Sequence, residues 1–150
     1  MISLLVAGCA PLPDIEPTCD PRTLAEDEVR VRRIPCSDEL ISSGEGRRSD
    51  WLLENAVVRF VIRQSPDALT RLGVSGGTIV DAASIGGTDP LVEAMPLIGD
   101  GWMVEADIFP FTEDDAAGLE IVGTLADGEE ATVRYTLQSD SPTLHIDGID

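Results

Sequence analysis

The sequence predicts an all-β protein, an antiparallel β-sandwich preceded by an extended amino-terminal tether. Three observations point there. Several runs alternate apolar and polar residues with a period of two, turn-forming clusters separate them at short spacing, and no segment keeps an i, i+3, i+4 apolar stripe for more than about two turns. With 150 residues, of which 43% are hydrophobic and 25% charged, the chain is sized and composed for one globular domain.

The elements follow in order. Ala10 to Asp20 (APLPDIEPTCD) holds three prolines and few large apolar residues, as a tether does. Glu28 to Ile34 alternates briefly and suits a short strand or extended arm, and Ser42 to Asp50 (SSGEGRRSD) is a loop by its Gly, Ser and charge content. Next come Leu52-Leu53 and Val57 to Arg63. They form a hairpin broken at Glu54-Asn55, with Val58, Phe60 and Ile62 on one face and Arg59 and Arg63 on the other. Thr78 to Ser84 and Trp102 to Phe109 are further strands, the second closed by Pro110. Leu119 to Leu125, Ala131 to Leu137 and Thr143 to Asp147 make a meander. In it Val133, Tyr135, Leu137, Leu144 and Ile146 should face a core and the residues between them water. Pro66 to Leu72 and Leu91 to Met95 are the only candidates for short helix. The last strand runs to Asp150 without a turn, cap or polar tail, so the domain is expected to continue beyond it.

Charge and cysteine content bear on compartment and partner. Ten Arg, no Lys and 28 acidic residues give a net charge of −18, which disfavours nucleic acid and anionic headgroups as ligands. The acids are concentrated toward the carboxyl end: residues 1–63 hold 11 against 8 Arg, residues 64–150 hold 17 against 2. Three cysteines are an odd number. If Cys9 is consumed by modification, Cys19 and Cys36 remain to form a disulfide, whose short loop would gain about 3 kcal/mol in an oxidising compartment. The alternative is a pair of free thiols in a reducing cytosol. A metal site is disfavoured because no CxxC or Cys/His spacing accompanies them.

Ile2 to Gly8 (ISLLVAG) followed by Cys9 resembles the end of a bacterial lipoprotein signal peptide. Val6-Ala7-Gly8-Cys9 matches the family pattern of an aliphatic residue, two small residues and an acylated Cys. The resemblance implies a lipid anchor on Cys9, with residues 1–8 as signal remnant, 9–38 as tether and 39–150 as the sandwich. Ala10 after Cys9 is similar to the outer-membrane sorting pattern. The apolar run itself is too short to span a bilayer, which needs about 20 residues. Residues 45–150 in turn resemble the opening of the galactose mutarotase-like supersandwich found in carbohydrate-active enzymes and surface lipoproteins. That resemblance implies a partial supersandwich and a carbohydrate ligand.

Catalytic machinery is thin. Mutarotase-type sites use two His and a Glu, whereas this chain has only His145, which shares strand parity with Thr143 and Asp147 and reads as a surface residue. A Ser–His–Asp triad would need the same single His, and no phosphate-cradling glycine motif occurs. Trp51 and Trp102 could stack on a sugar, and Arg47 and Arg48 could meet a ligand from their loop. Glu113, Asp114 and Asp115 could offer oxygen ligands to Ca²⁺, although a solvated acidic loop fits them better. No other cofactor is implied. The leading expectation is a non-enzymatic, lipid-anchored envelope protein with a glycan-binding or structural sandwich. The alternative is the amino-terminal part of a polysaccharide lyase or sugar epimerase whose catalytic residues lie past Asp150.

Overall fold

The computed structural model describes residues 18–64, 76–91, 93–98, 101 and 103–149. Eight strands form two four-stranded antiparallel sheets, each a simple meander. The first sheet holds β1 (Val29–Arg33), β2 (Trp51–Asn55), β3 (Val58–Ile62) and β4 (Ile79–Ser84); the second holds β5 (Met103–Thr112), β6 (Ala116–Leu125), β7 (Glu130–Gln138) and β8 (Leu144–Ile149). One 3-10 turn, Ser37–Glu39, lies between β1 and β2. The lipoprotein-like motif with Cys9, the Pro66 to Leu72 helix candidate and Trp102 lie outside the described residues.

The two sheets face each other across one apolar layer. Trp51, Leu53 and Ile62 of the first sheet meet Leu119, Ile121, Val133, Tyr135 and Leu137 of the second. The alternation in β7 sends Val133, Tyr135 and Leu137 inward, all 1% exposed or less, as the period of two requires. Tyr135 buries its ring fully and donates its hydroxyl to the Gly77 carbonyl at 2.7 Å, and burial raises the phenol's pKa. Ile146, expected inward, is 48% exposed, because β8 is the edge strand of its sheet and its inner side is incompletely covered.

The first sheet is covered on its outer side as well. Residues 34–50 fold over it, so that Ile34, Ile41 and Leu40 pack on Leu52, Val61, Val80 and Ala83. All five residues of β2 are consequently buried. The Glu28 to Ile34 stretch is β1, paired with β2 along its whole length, and the Cys19–Cys36 disulfide (Cα–Cα 5.7 Å) ties together the segments flanking it.

Several boundaries differ from expectation for local reasons. The hairpin reversal falls at Ala56 and Val57, because Glu54 stays paired with Arg59 and Asn55 with Val29, and both side chains are satisfied internally. Pro110 does not close β5, which continues to Thr112 with Pro110 opposite Leu119. An edge strand tolerates a proline, since the missing N–H can point away from its one neighbour. The described residues of the Leu91 to Met95 stretch are not helical; Ala94 instead exchanges two backbone hydrogen bonds with Ile79, at 2.9 and 2.8 Å. Asp89 fixes this approach by accepting from the N–H groups of Ala82 and Leu91, both at 2.9 Å.

Two buried carboxylates organise the loop over the first sheet. Asp50 accepts from the N–H of Arg47 (2.9 Å) and of Gln64 (3.0 Å) and pairs with Arg63 at 3.1 Å. Asp81 accepts from the N–H groups of Glu45 (2.6 Å) and Gly46 (2.9 Å). Glycine is required beside it, as a Cβ on Gly44 or Gly46 would fall 2.5 or 2.6 Å from Asp81 Oδ2. Burial pushes the Asp81 carboxyl above its ordinary value, the two amide donors oppose the rise, and the neighbouring Asp89 adds to it. A raised carboxyl stabilises the fold fully below its unfolded pKa near 3.8 and loses that contribution as pH climbs through the folded value.

Asp89→Asn keeps the acceptor for Ala82 and Leu91 and removes the charge facing Asp81. It should raise stability by about 1 kcal/mol at pH 7 and by much less at pH 3, measured by urea unfolding at both values. Asn55, the only Asn, donates from Nδ2 to the carbonyls of Gln138 (2.8 Å) and Ser141 (2.7 Å) and accepts from the N–H groups of Val57 and Val58. Asn55→Ala should cost about 2–4 kcal/mol. Asn55→Asp should cost more at neutral pH, since it turns a carboxylate toward two carbonyl oxygens; equal losses in thermal melts would contradict this account.

Candidate functional site: the open face of the second sheet

Among the described residues nothing covers the outer face of the second sheet in this way. Pairing registers place four rows across it. Phe111, Gly118, Thr136 and His145 form one, Phe109, Glu120, Arg134 and Asp147 the next, then Asp107, Val122, Thr132 and Ile149, and finally Glu105, Thr124 and Glu130. Phe109 is 53% and Ile149 43% exposed, which puts apolar surface among carboxylates.

Beside Phe109 the face is held rigidly. The Arg134 guanidinium lies 4.0 Å from the Phe111 ring centroid and pairs with Glu113 in the β5–β6 turn. Phe111 in turn covers Gly118, where a Cβ would stand 2.4 Å from the ring and 1.9 Å from the Tyr135 carbonyl oxygen. The glycine is thus a seat for the aromatic ring. Beyond this block the face sinks into a shallow cleft of about 260 Å³ lined by Glu105, Asp107, Val122, Thr124 and Glu130. A second hollow of about 380 Å³ shares Val122 and Glu130 and extends toward Thr132 and Ile149.

Carboxylates are acceptor-only when ionised, and Thr adds a hydroxyl that can do both. An exposed aromatic ring between such acceptors can bind a molecule having an apolar face and several hydroxyl donors, while the acidic surround repels anions.

The residues singled out from sequence are placed differently. Trp51 is 8% exposed in the layer between the sheets, donates Nε1–H to Gln64 Oε1 at 2.6 Å and carries the Arg33 guanidinium 4.6 Å from its ring centroid. It is a core residue, which corrects the expectation of a stacking surface. Arg47 and Arg48 are exposed on the loop over the first sheet, with Arg48 Nε donating to the Pro35 carbonyl at 2.9 Å, and so lie outside the rows of the open face. Glu113, Asp114 and Asp115 are exposed in the β5–β6 turn, and among the described residues they do not gather as three ligands. Glu113 is engaged by Arg134, and the exposed turn agrees with the solvated acidic loop preferred from sequence. His145 sits on the open face and is exposed. Trp102 lies outside the described residues.

Phe109 and Glu130 were not singled out by sequence. The alternation in residues 102–109 did carry a signal, for Glu105, Asp107 and Phe109 share parity. Phe109 is bulkier than Ala106 or Ile108, however, so size alone assigns the wrong side as the core.

No family model matches the chain. Neither the curated proteins nor the solved structures yield a significant match. Among the described residues no helix is long and apolar enough to cross a membrane.

Gly118→Ala should unseat Phe111 and strain β6 against β7, lowering stability by about 1–3 kcal/mol in urea unfolding. Phe111→Ala in the same background should recover part of that loss, because it removes the ring and leaves only the Tyr135 carbonyl oxygen against the new methyl.

Proposed function

We propose that the chain is a non-enzymatic, lipid-anchored protein of the bacterial cell envelope, whose sandwich binds neutral glycans on the open face of its second sheet. One observation carries the binding site. The first sheet is sealed on both sides, whereas the second leaves Phe109 exposed between Asp107 and Glu120 beside a carboxylate-lined cleft. A pyranose presents an apolar face to the ring and hydroxyl donors to the carboxylates, and a net charge of −18 favours an uncharged sugar over a phosphorylated or sulfated one. Anchoring is supported by the Val6-Ala7-Gly8-Cys9 sequence, and an oxidising compartment by the Cys19–Cys36 disulfide.

The test is binding to an array of neutral and anionic oligosaccharides. Binding of neutral members, weakened at least tenfold by Phe109→Ala with the melting temperature retained, is the expected result. Binding that survives Phe109→Ala, or is confined to anionic members, would overturn the site. The anchor is tested separately by the intact mass of detergent-extracted native protein, which should begin at Cys9 with a diacylglycerol-sized adduct.

A further inference from the structure

Beneath the loop that covers the first sheet, three potential ligand side chains meet. The sulfurs of Cys19 and Cys36 and a carboxylate oxygen of Glu39 all lie within 4.8 Å of one another. Glu39 is completely buried. Its Oε1 accepts from the Asp20 N–H at 2.5 Å, pairs with Arg32 at 3.3 Å and lies 3.9 Å from Cys36 Sγ. Its Oε2 is buried and has no hydrogen-bond partner. The oxygen facing the sulfurs is Oε1, and an orphaned Oε2 is costly inside a protein, so a cation held at this carboxylate would gain from engaging both oxygens.

We propose that the reduced chain binds a soft divalent cation of the zinc class through Cys19, Cys36 and Glu39, so that disulfide and metal are alternative closures of the same loop. The proposal is independent of the glycan-binding face and of the anchor. In the first step a dithiol gives two electrons and two protons to the Cys19–Cys36 bond. That bond becomes two thiols, and the dithiol closes to its own disulfide. In the second step the cation displaces both thiol protons to solvent and takes two thiolates and one carboxylate oxygen, with water as the fourth ligand.

The geometry is compatible with little movement. Tetrahedral zinc bonds of about 2.0–2.3 Å hold ligand atoms about 3.3–3.8 Å apart; Glu39 Oε1 already lies 3.9 Å from Cys36 Sγ, and reduction frees the two bonded sulfurs to part to that spacing. Charge also balances. A dication with two thiolates and one carboxylate carries −1, and the Arg32 guanidinium at the carboxylate supplies +1. Cys19 is exposed and Cys36 half-exposed, so reductant and ion can both reach the sulfurs. The same two segments flanking β1 stay clipped in either state.

The experiment uses the full chain carrying Cys9→Ser, reduced with a phosphine and titrated with Co²⁺ as a spectroscopic probe. We expect one Co²⁺ per chain, a thiolate-to-cobalt charge-transfer band, displacement by Zn²⁺, and neither band nor binding in the oxidised chain. Glu39→Gln should weaken Co²⁺ at least tenfold. Absence of the band from the reduced chain, or undiminished affinity in Glu39→Gln, would overturn the site. Should Glu39→Gln fail to fold, the melting temperature of the reduced parent decides. Zn²⁺ must raise it while Mg²⁺ leaves it unchanged, and no rise with Zn²⁺ overturns the proposal.

Discussion

Burial of β2 on both faces is the constraint around which the rest of the molecule is arranged. A strand with apolar neighbours above and below can carry polar side chains only if every one finds a partner inside. Glu54 does so by accepting from Arg30 Nε and Arg59 Nε, both at 2.6 Å, on the two strands that flank it in register. Arg30 then reaches Asp20 with its remaining nitrogens, to the carboxylate and to the carbonyl, each at 2.7 Å. The row of Arg, Glu and Arg across three strands thereby fixes their register and docks the segment ahead of β1. Removing one member would strand a buried charge, which is worse than never having built the pair.

That constraint also explains why the covering loop has its composition. It must lie flat on a sheet while its own amides are withdrawn from water. Asp50 and Asp81 answer those amides from below, and Gly44 and Gly46 let the backbone come within reach of Asp81. In sequence these residues look like the contents of a solvated turn. Gly, Ser, Asp and Arg signal a loop in either case, and what distinguishes a pinned loop from a free one is the pair of acids it closes on. Asp81 lies 35 residues from Gly46, too far for any local pattern to connect them.

What was legible follows the same division. All-β class, the meander, the inward face of β7 and the pairing of Cys19 with Cys36 rest on period, turn chemistry and parity, each readable over a few residues. The outer cover of the first sheet was not, because Ile34, Ile41, Leu52 and Val61 become neighbours only after the chain folds back. The candidate face was half legible. Alternation gave the residues that share a side, but the direction of that side depends on the opposing sheet, and the two large Phe side chains of β5 point away from it. Trp51 by its sequence could be a stacking ring or a core residue, and only the assembled packing, with its strand at the centre, settles on the core.

The covalent link between Cys19 and Cys36 has a mechanical consequence. β1 is an edge strand held by one neighbour, and tension applied at the amino terminus would peel such a strand away one pair at a time. With the link intact, force arriving at Cys19 passes directly to Cys36 and bypasses everything between them. The pull then enters the fold at the short 3-10 turn, with β1 slack inside its loop. Cleaving one bond would reroute the load through the whole strand, changing a domain that resists traction into one that unzips from its edge.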